Sequence, residues 1–337
     1  MNNSEKYSKY ALCKEMLETP GIIREFSSAN NNIEAVSEAI TTAGKLFLTG
    51  EGSSRIFPAK NAIRFARGLG MNLELDTEGS RQAAEYDLKD WVIFGASNSG
   101  QTKELICLFD TQKQAGNDKL YGLTANAGTK LQEMSKQAFV LKCGKENAVA
   151  ATKSVAEQAL FYQSILCNMS GFCKPYLKDL MADGIEDALT MEIDPTITKA
   201  IANAGTIYFA GRNDGVAEEL TLKTNEITRK KSDYLEGTYA VHGIEEVMNA
   251  NDVVILIDPY EAELEKIKTT LADGVGLTVI AISTKDTIFP TIKVKDAEAL
   301  TTYVMLAAGW NILVEVGIEL NIDLDKPVRA RKIGNAY

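Results

Sequence analysis

Short apolar runs alternate with amphipathic segments along most of the chain, and the whole alternation occurs twice. In the first half, "KLFLTGEGSSR" (45–55) reads as a strand running into a Gly/Ser turn, followed by the helically periodic "IFPAKNAIRFARGLG". A second strand follows at "WVIFGAS" from Trp91 and a third at "LYGLTA" from Leu120. In the second half "TIYFAGRNDGV" (206–216) precedes the helical "AEELTLKTNEI", with strands at "DVVILID" from Asp252 and "LTVIAIS" from Leu277. Leu46 and Ile207 are 161 residues apart, as are Trp91 and Asp252, while Leu120 and Leu277 are 157 apart. Strands that alternate with helices build parallel, helix-covered sheets. The pattern therefore predicts an α/β chain of two such sheets related by duplication.

The flanks are less regular. Residues 1–44 are mostly helical in pattern, with Pro20 expected to break them. Gly and Pro punctuation near 170–195 marks the boundary between halves. "GWNILVEVGIELNID" closes the second half as an apolar helix, and "DLDKPVRARKIGNAY" is a polar, basic tail that no core pattern claims. The expected organisation is a helical segment 1–44, a first domain 45–175, a second domain 176–325 and a tail 326–337.

Composition narrows the chemistry. The 337 residues are 45% hydrophobic and 24% charged, as in soluble globular proteins, and no apolar run reads as a membrane span. The N-terminus lacks the apolar stretch of a signal peptide. Five cysteines (Cys13, Cys107, Cys143, Cys167, Cys173) without CxxC spacing read as reduced residues of a cytoplasmic protein. A net charge of −10 argues against nucleic acid or an anionic membrane as partner. One histidine and scattered acids give no metal-site spacing, and no cofactor is called for. An anionic ligand would have to be held locally, by hydroxyls and helix N-termini.

Candidate chemistry gathers in the loops after the strands. "GASNSGQTKE" (95–104) leaves a strand through Ser, Asn, Ser, Gly and Thr and opens a helix at once. Such a stretch is an ordinary capped turn, or else a cradle of hydroxyls and N–H groups for a dianion. "GEGSSR" and "GKENAVAATKS" (144–154) also follow strands. In open α/β sheets ligands sit beyond the carboxyl ends of the strands. Three small-residue loops at one sheet edge favour an anion or sugar-phosphate site.

These residues resemble a family. "GASNSGQTKE" is similar to the phosphosugar-binding signature of sugar isomerase (SIS) domains, "ENAVAATKS" to the segment that closes the same sugar site, and "CKEMLETPGII" to the opening of a two-SIS-domain unit. The chain thus resembles the double-SIS phosphosugar isomerase and deaminase family, which includes the isomerase half of glucosamine-6-phosphate synthase. The resemblance implies two tandem flavodoxin-like SIS domains, with phosphate ligands at Ser54, Ser97, Asn98, Ser99 and Thr102. It places Gly52 and Ser53 beside the sugar, with Val149 and Ala151 meeting sugar hydroxyls through their backbone.

The same resemblance puts catalysis in the second half. Glu226 matches the glutamate that shuttles a proton between C1 and C2, and His242 the ring-opening histidine 16 residues on. Lys332 matches the lysine that forms an imine with the open-chain ketose. Glu219 and Lys223 match residues that organise the site, and their spacing to Glu226 puts all three on one helix face. Read without the family, Glu-x-x-x-Lys-x-x-Glu is a solvated salt-bridge stripe, a single histidine a surface residue, and Lys332 part of a basic tail.

The chain departs from the family where His-Gly-Pro reads His242-Gly243-Ile244, followed by Glu245 and Glu246. No glutaminase domain precedes the SIS pair, so synthesis from glutamine is not expected. What the family leaves is an amino-sugar-phosphate deaminase or a fructosamine-phosphate deglycase, with "ENAVAATK" favouring the deaminase branch. A plain aldose–ketose phosphate isomerase and a non-catalytic phosphosugar sensor are the alternatives. The family further implies a homodimer with shared active sites, because "DYLEGTYAVHGIEEV", a long and mostly irregular connection, would carry His242 into the neighbouring subunit.

Overall fold

The computed structural model describes residues 1–27, 33–172 and 174–331. Two five-stranded sheets, parallel throughout, carry the fold. The first contains β1 (Lys45–Gly50), β2 (Glu74–Gly79), β3 (Val92–Ala96), β4 (Leu120–Thr124) and β5 (Gln137–Val140), in the order β2-β1-β3-β4-β5. The second contains β6 (Thr206–Gly211), β7 (Lys231–Glu236), β8 (Val253–Ile257), β9 (Thr278–Ser283) and β10 (Thr291–Lys293), in the order β10-β9-β8-β6-β7. The two orders are the same when read from the first strand of each sheet. Registers agree as well, with Leu46 opposite Val92 and Ile207 opposite Val253. The expected duplicated parallel α/β architecture is what the chain folds into.

Two compact units result. One holds the first sheet, on residues 21–146 and 151–175; the other holds the second, on 1–20, 147–150 and 176–330. In the first unit Phe47, Ile93, Leu105, Phe109 and Leu131 form one buried layer. On the opposite face Phe94 meets Tyr121, Phe139, Phe161 and Tyr162 at centroid separations of 5.3–5.8 Å. Burying each such side chain stabilises the fold by roughly 1.5–3 kcal/mol. In the second unit the helix Thr301–Glu319 packs on the helices Tyr176–Thr190 and Val216–Thr228.

Several local expectations are corrected. Each half has more strands than its apolar runs announce, because β2 (ELDTEG) and β7 (KSDYLE) are polar edge strands with mostly exposed or half-buried side chains. β7 takes up the first part of the stretch read as irregular around His242, and short 3-10 turns follow it. Pro20 does not end its helix, which runs from Ala11 to Glu25. The lost backbone bond is outweighed by burial of Leu12, Met16 and Ile23 along that helix. A segment long and apolar enough to cross a membrane does exist, at Glu298–Glu319, but 83% of its apolar window is buried inside the protein. Finally, Leu324 in the polar tail is buried, against Gly317 of the closing helix.

Candidate active site

At the carboxyl ends of β1 and β3 the chain turns in opposite directions, toward β2 and toward β4, which opens the crevice where ligands of such sheets bind. The strands approach closely there: a Cβ on Gly50 would lie 2.7 Å from the Ala96 carbonyl oxygen. After β1, Gly52–Ser54 forms a single 3-10 turn, with Gly52 in the left-handed region at φ +54°. It sets Ser53, buried, and Ser54, half-buried, at this edge. Glu51 beside them accepts the Ser80 N–H at 2.8 Å. Burial pushes the Glu51 carboxyl above its ordinary value, and that N–H only partly offsets the rise.

After β3, Ser97, Ser99 and Thr102 come together as the motif requires. Ser97 Oγ lies 2.8 Å from Thr102 Oγ1 and 3.4 Å from Ser99 Oγ. The N–H groups of Gly100 and Gln101 point at the same hydroxyls, at 3.0 and 3.2 Å. Thr102 precedes the helix Lys103–Gln114 without capping it, so its hydroxyl stays with the cluster. A cluster of hydroxyls, N–H groups and a helix N-terminus can take up a dianion through charge-assisted bonds. Gly100 is obligatory. Its φ is +64°, and any Cβ would collide with the Thr129 side chain.

Asn98 behaves differently from its neighbours. Its Nδ2 donates to Glu146 Oε2 at 2.8 Å, and its carbonyl accepts from Thr124, Ala125 and Asn126. The side chain is thus engaged by Glu146 and not by the hydroxyl cluster. Glu146 also holds the start of the helix Lys153–Ser170, through the Thr152 N–H at 2.7 Å and Ser154 Oγ at 2.6 Å. Ala151, half-buried, comes immediately before Thr152. Residues 147–150 belong to the other unit, where the Glu15 carboxylate accepts the N–H groups of Asn147 and Ala148, and the Asp325 carbonyl that of Val149. Glu15 explains the "CKEMLETP" stretch in physical terms. Neither Glu15 nor Glu146 stands out in the sequence as more than one member of a quoted motif.

In the second unit the helix Val216–Thr228 begins after Gly215, at φ +89°, with Asp214 accepting the Val216 N–H. Lys223 on this helix is completely buried. Its ammonium meets Glu226 Oε2 at 2.6 Å and Glu219 Oε1 at 3.4 Å. Burial alone would lower the Lys223 pKa, but the two carboxylates outweigh it and the net shift is upward. Glu219 is as buried as Lys223, whereas the Glu226 side chain keeps 22% exposure. The solvated-stripe reading fails, because a stripe of that kind does not bury its central ammonium. Glu226 is therefore oriented by one oxygen while the other, Oε1, accepts no hydrogen bond from the described residues.

His242 follows the 3-10 turn Tyr239–Val241 and is exposed. Its imidazole forms no hydrogen bond with the described residues, Glu226 included. Gly243, at φ +106°, comes next, and the Glu245 carboxylate accepts its N–H at 2.6 Å. Glu245 thus pins the loop locally at the point where the sequence departs from His-Gly-Pro. Lys332 lies outside the described residues.

Comparisons with known proteins bear on the fold. The SIS domain family model matches residues 39–167. The glutamine–fructose-6-phosphate aminotransferase (isomerizing) of Shewanella oneidensis is 23% identical over 218 residues, which cover 61% of this chain and 36% of that protein. The chain spans between about a third and a half of the length of the curated relatives it matches. The tagatose-6-phosphate ketose/aldose isomerase of Escherichia coli superposes with a TM-score of 0.78 at 16% identity, covering 97% of this chain and 99% of that one. The glucosamine-6-phosphate deaminase of Thermotoga maritima does so at 0.74 and 19%, covering 96% and 98%.

Proposed function

We propose that this chain, which carries a SIS domain at residues 39–167, acts on a hexosamine 6-phosphate or a fructosamine 6-phosphate, opening its ring and moving a proton between C1 and C2. The observation that carries the reading is the buried Lys223, which fixes one oxygen of Glu226 and leaves the other available. Isomerisation needs a single carboxylate that removes a proton from one carbon and returns it to the next. In the deaminase direction Glu226 takes the C2 proton of the open-chain 2-amino aldose and delivers it to C1. The resulting C2 imine is hydrolysed by water to ammonia and a ketose phosphate. In the deglycase direction the proton moves from C1 to C2, and hydrolysis of the C1 imine releases the amine and an aldose phosphate.

The remaining residues take supporting roles. Ser97, Ser99 and Thr102 hold the phosphate, with Ser54 from the first turn. Gly52, Ser53, Val149 and Ala151 face the sugar, His242 moves the proton that opens the ring, and Lys332 forms the imine with the ketose. The protein works in the cytoplasm as a homodimer, with His242 serving the partner's site. Exposed Tyr239 and Val247 on either side of His242 support an interfacial loop.

A plain aldose–ketose phosphate isomerase is the second reading, since the same carboxylate suffices when no amine is present. Assaying ammonia and ketose phosphate from hexosamine 6-phosphates, free amine and aldose phosphate from fructosamine 6-phosphates, and aldose–ketose interconversion of hexose 6-phosphates separates the two. Turnover of the hexose phosphates alone would establish the second reading, and binding without turnover of any of them would leave a sensor.

A further inference from the structure

Glu146 is a carboxylate buried beside a site meant for an anion. Its charge works against the phosphate that the Ser97–Thr102 cluster would hold, so its presence calls for a compensating role. The hydrogen bonds give one. Oε2 accepts from Asn98 Nδ2 at 2.8 Å and from Ser154 Oγ at 2.6 Å. Oε1 accepts the Thr152 N–H at 2.7 Å, with Thr152 Oγ1 at 3.4 Å and the Ser154 N–H at 3.5 Å. One side chain therefore joins the turn after β3 to the first residues of the helix Lys153–Ser170. Neutral glutamine has one acceptor oxygen and could not satisfy both sets of donors.

We propose that Glu146 is a positioning residue of the phosphosugar site, which uses Asn98 as a strut to hold the Ala151–Thr152 backbone where it meets the sugar. The inference rests on the phosphosugar reading above, and it moves Asn98 from the phosphate ligands to the frame behind them. Glu146 then governs recognition of the sugar and not of the phosphate. Removing its charge while loosening the loop affects the two parts of the ligand in opposite directions.

The test compares two probes, inorganic phosphate and fructose 6-phosphate, by calorimetry on the full chain. Glu146→Gln is expected to weaken fructose 6-phosphate about tenfold while inorganic phosphate binds as well as before or more tightly. Asn98→Ala should reproduce the loss for fructose 6-phosphate, and the double variant should be no worse than either single one, because both remove the same strut. If Glu146→Gln does not fold, Asn98→Ala carries the same comparison. A parallel fall in both affinities, or fully additive single effects, would overturn the inference alone, as would variants that match the wild type. If the wild-type chain binds neither probe, the phosphosugar reading falls and takes this inference with it.

Discussion

Lys223 Nζ donates to Glu226 Oε2 across 2.6 Å from a side chain that solvent does not reach, and Glu226 is the partner that still does. The pair is therefore asymmetric: the ammonium is structural, while the carboxylate faces outward. Glu226→Gln keeps the shape and one acceptor but removes the base. Turnover should drop at least about a hundredfold while ligand affinity stays close to wild type. Deuterium entering the sugar from solvent at the wild-type rate would show that Glu226 is not the proton shuttle.

Replacing the cation has a different consequence. Lys223→Met leaves Glu219 buried without its counter-ion, and such a loss costs on the order of 3–5 kcal/mol. Urea unfolding should show it directly. Glu219→Leu added to Lys223→Met should restore part of the loss, whereas a second variant as unstable as the sum of its parts would mean the two side chains are uncoupled.

The upward shift of Lys223 also sets a sign for alkaline behaviour. Its folded-state pKa lies above the ordinary value of 10.5, so its contribution is fully present below that pH and is lost as pH rises through the folded value. Tyrosines whose pKa desolvation raises, such as half-buried Tyr234, push the same way. The melting temperature should therefore fall above about pH 10.5, and more steeply in the wild type than in Lys223→Met. Parallel slopes would assign the fall to the tyrosines alone.

The hydroxyl cluster predicts a local effect. Ser99→Ala and Thr102→Ala each remove a donor to the phosphate and should cost about 1.5–3 kcal/mol of affinity for inorganic phosphate and sugar phosphate alike. Unchanged affinity in both variants would remove the phosphate from this turn.

Subunit mixing tests the shared site. Glu226→Gln and His242→Ala are each expected to be inactive. If His242 serves the partner's Glu226, a mixed dimer has one site with both lesions and one with neither. Equal mixing with free exchange should then restore about a quarter of wild-type activity, since half the dimers are mixed and each regains one of two sites. No recovery after proven exchange would mean that each subunit uses its own histidine.

The hydroxyl cluster was legible in the sequence because its geometry is local: six residues of one turn, with Gly100 where a left-handed residue is needed. The duplication was legible because central strands buried on both faces leave apolar runs. β2 and β7 were hidden for the opposite reason, as edge strands that expose alternate polar side chains look like loops. The pattern Glu219, Lys223, Glu226 is the same whether the helix face is wet or dry, so only packing could show that Lys223 is buried. The bond from Asn98 to Glu146 could not be read from the sequence, since nothing in its own turn reveals a carboxylate 48 residues away.

Asp325 accepts the N–H groups of Ala11 and Leu12, both at 2.8 Å, and so closes the first turn of the helix Ala11–Glu25 from more than three hundred residues away. A nascent chain leaves the ribosome N-terminus first. That helix, already carrying Pro20, must wait for residue 325 to be made before its leading N–H groups find this acceptor. Until then those N–H groups are left to water. A product that stops short of residue 325 would therefore leave the first turn of the opening helix frayed.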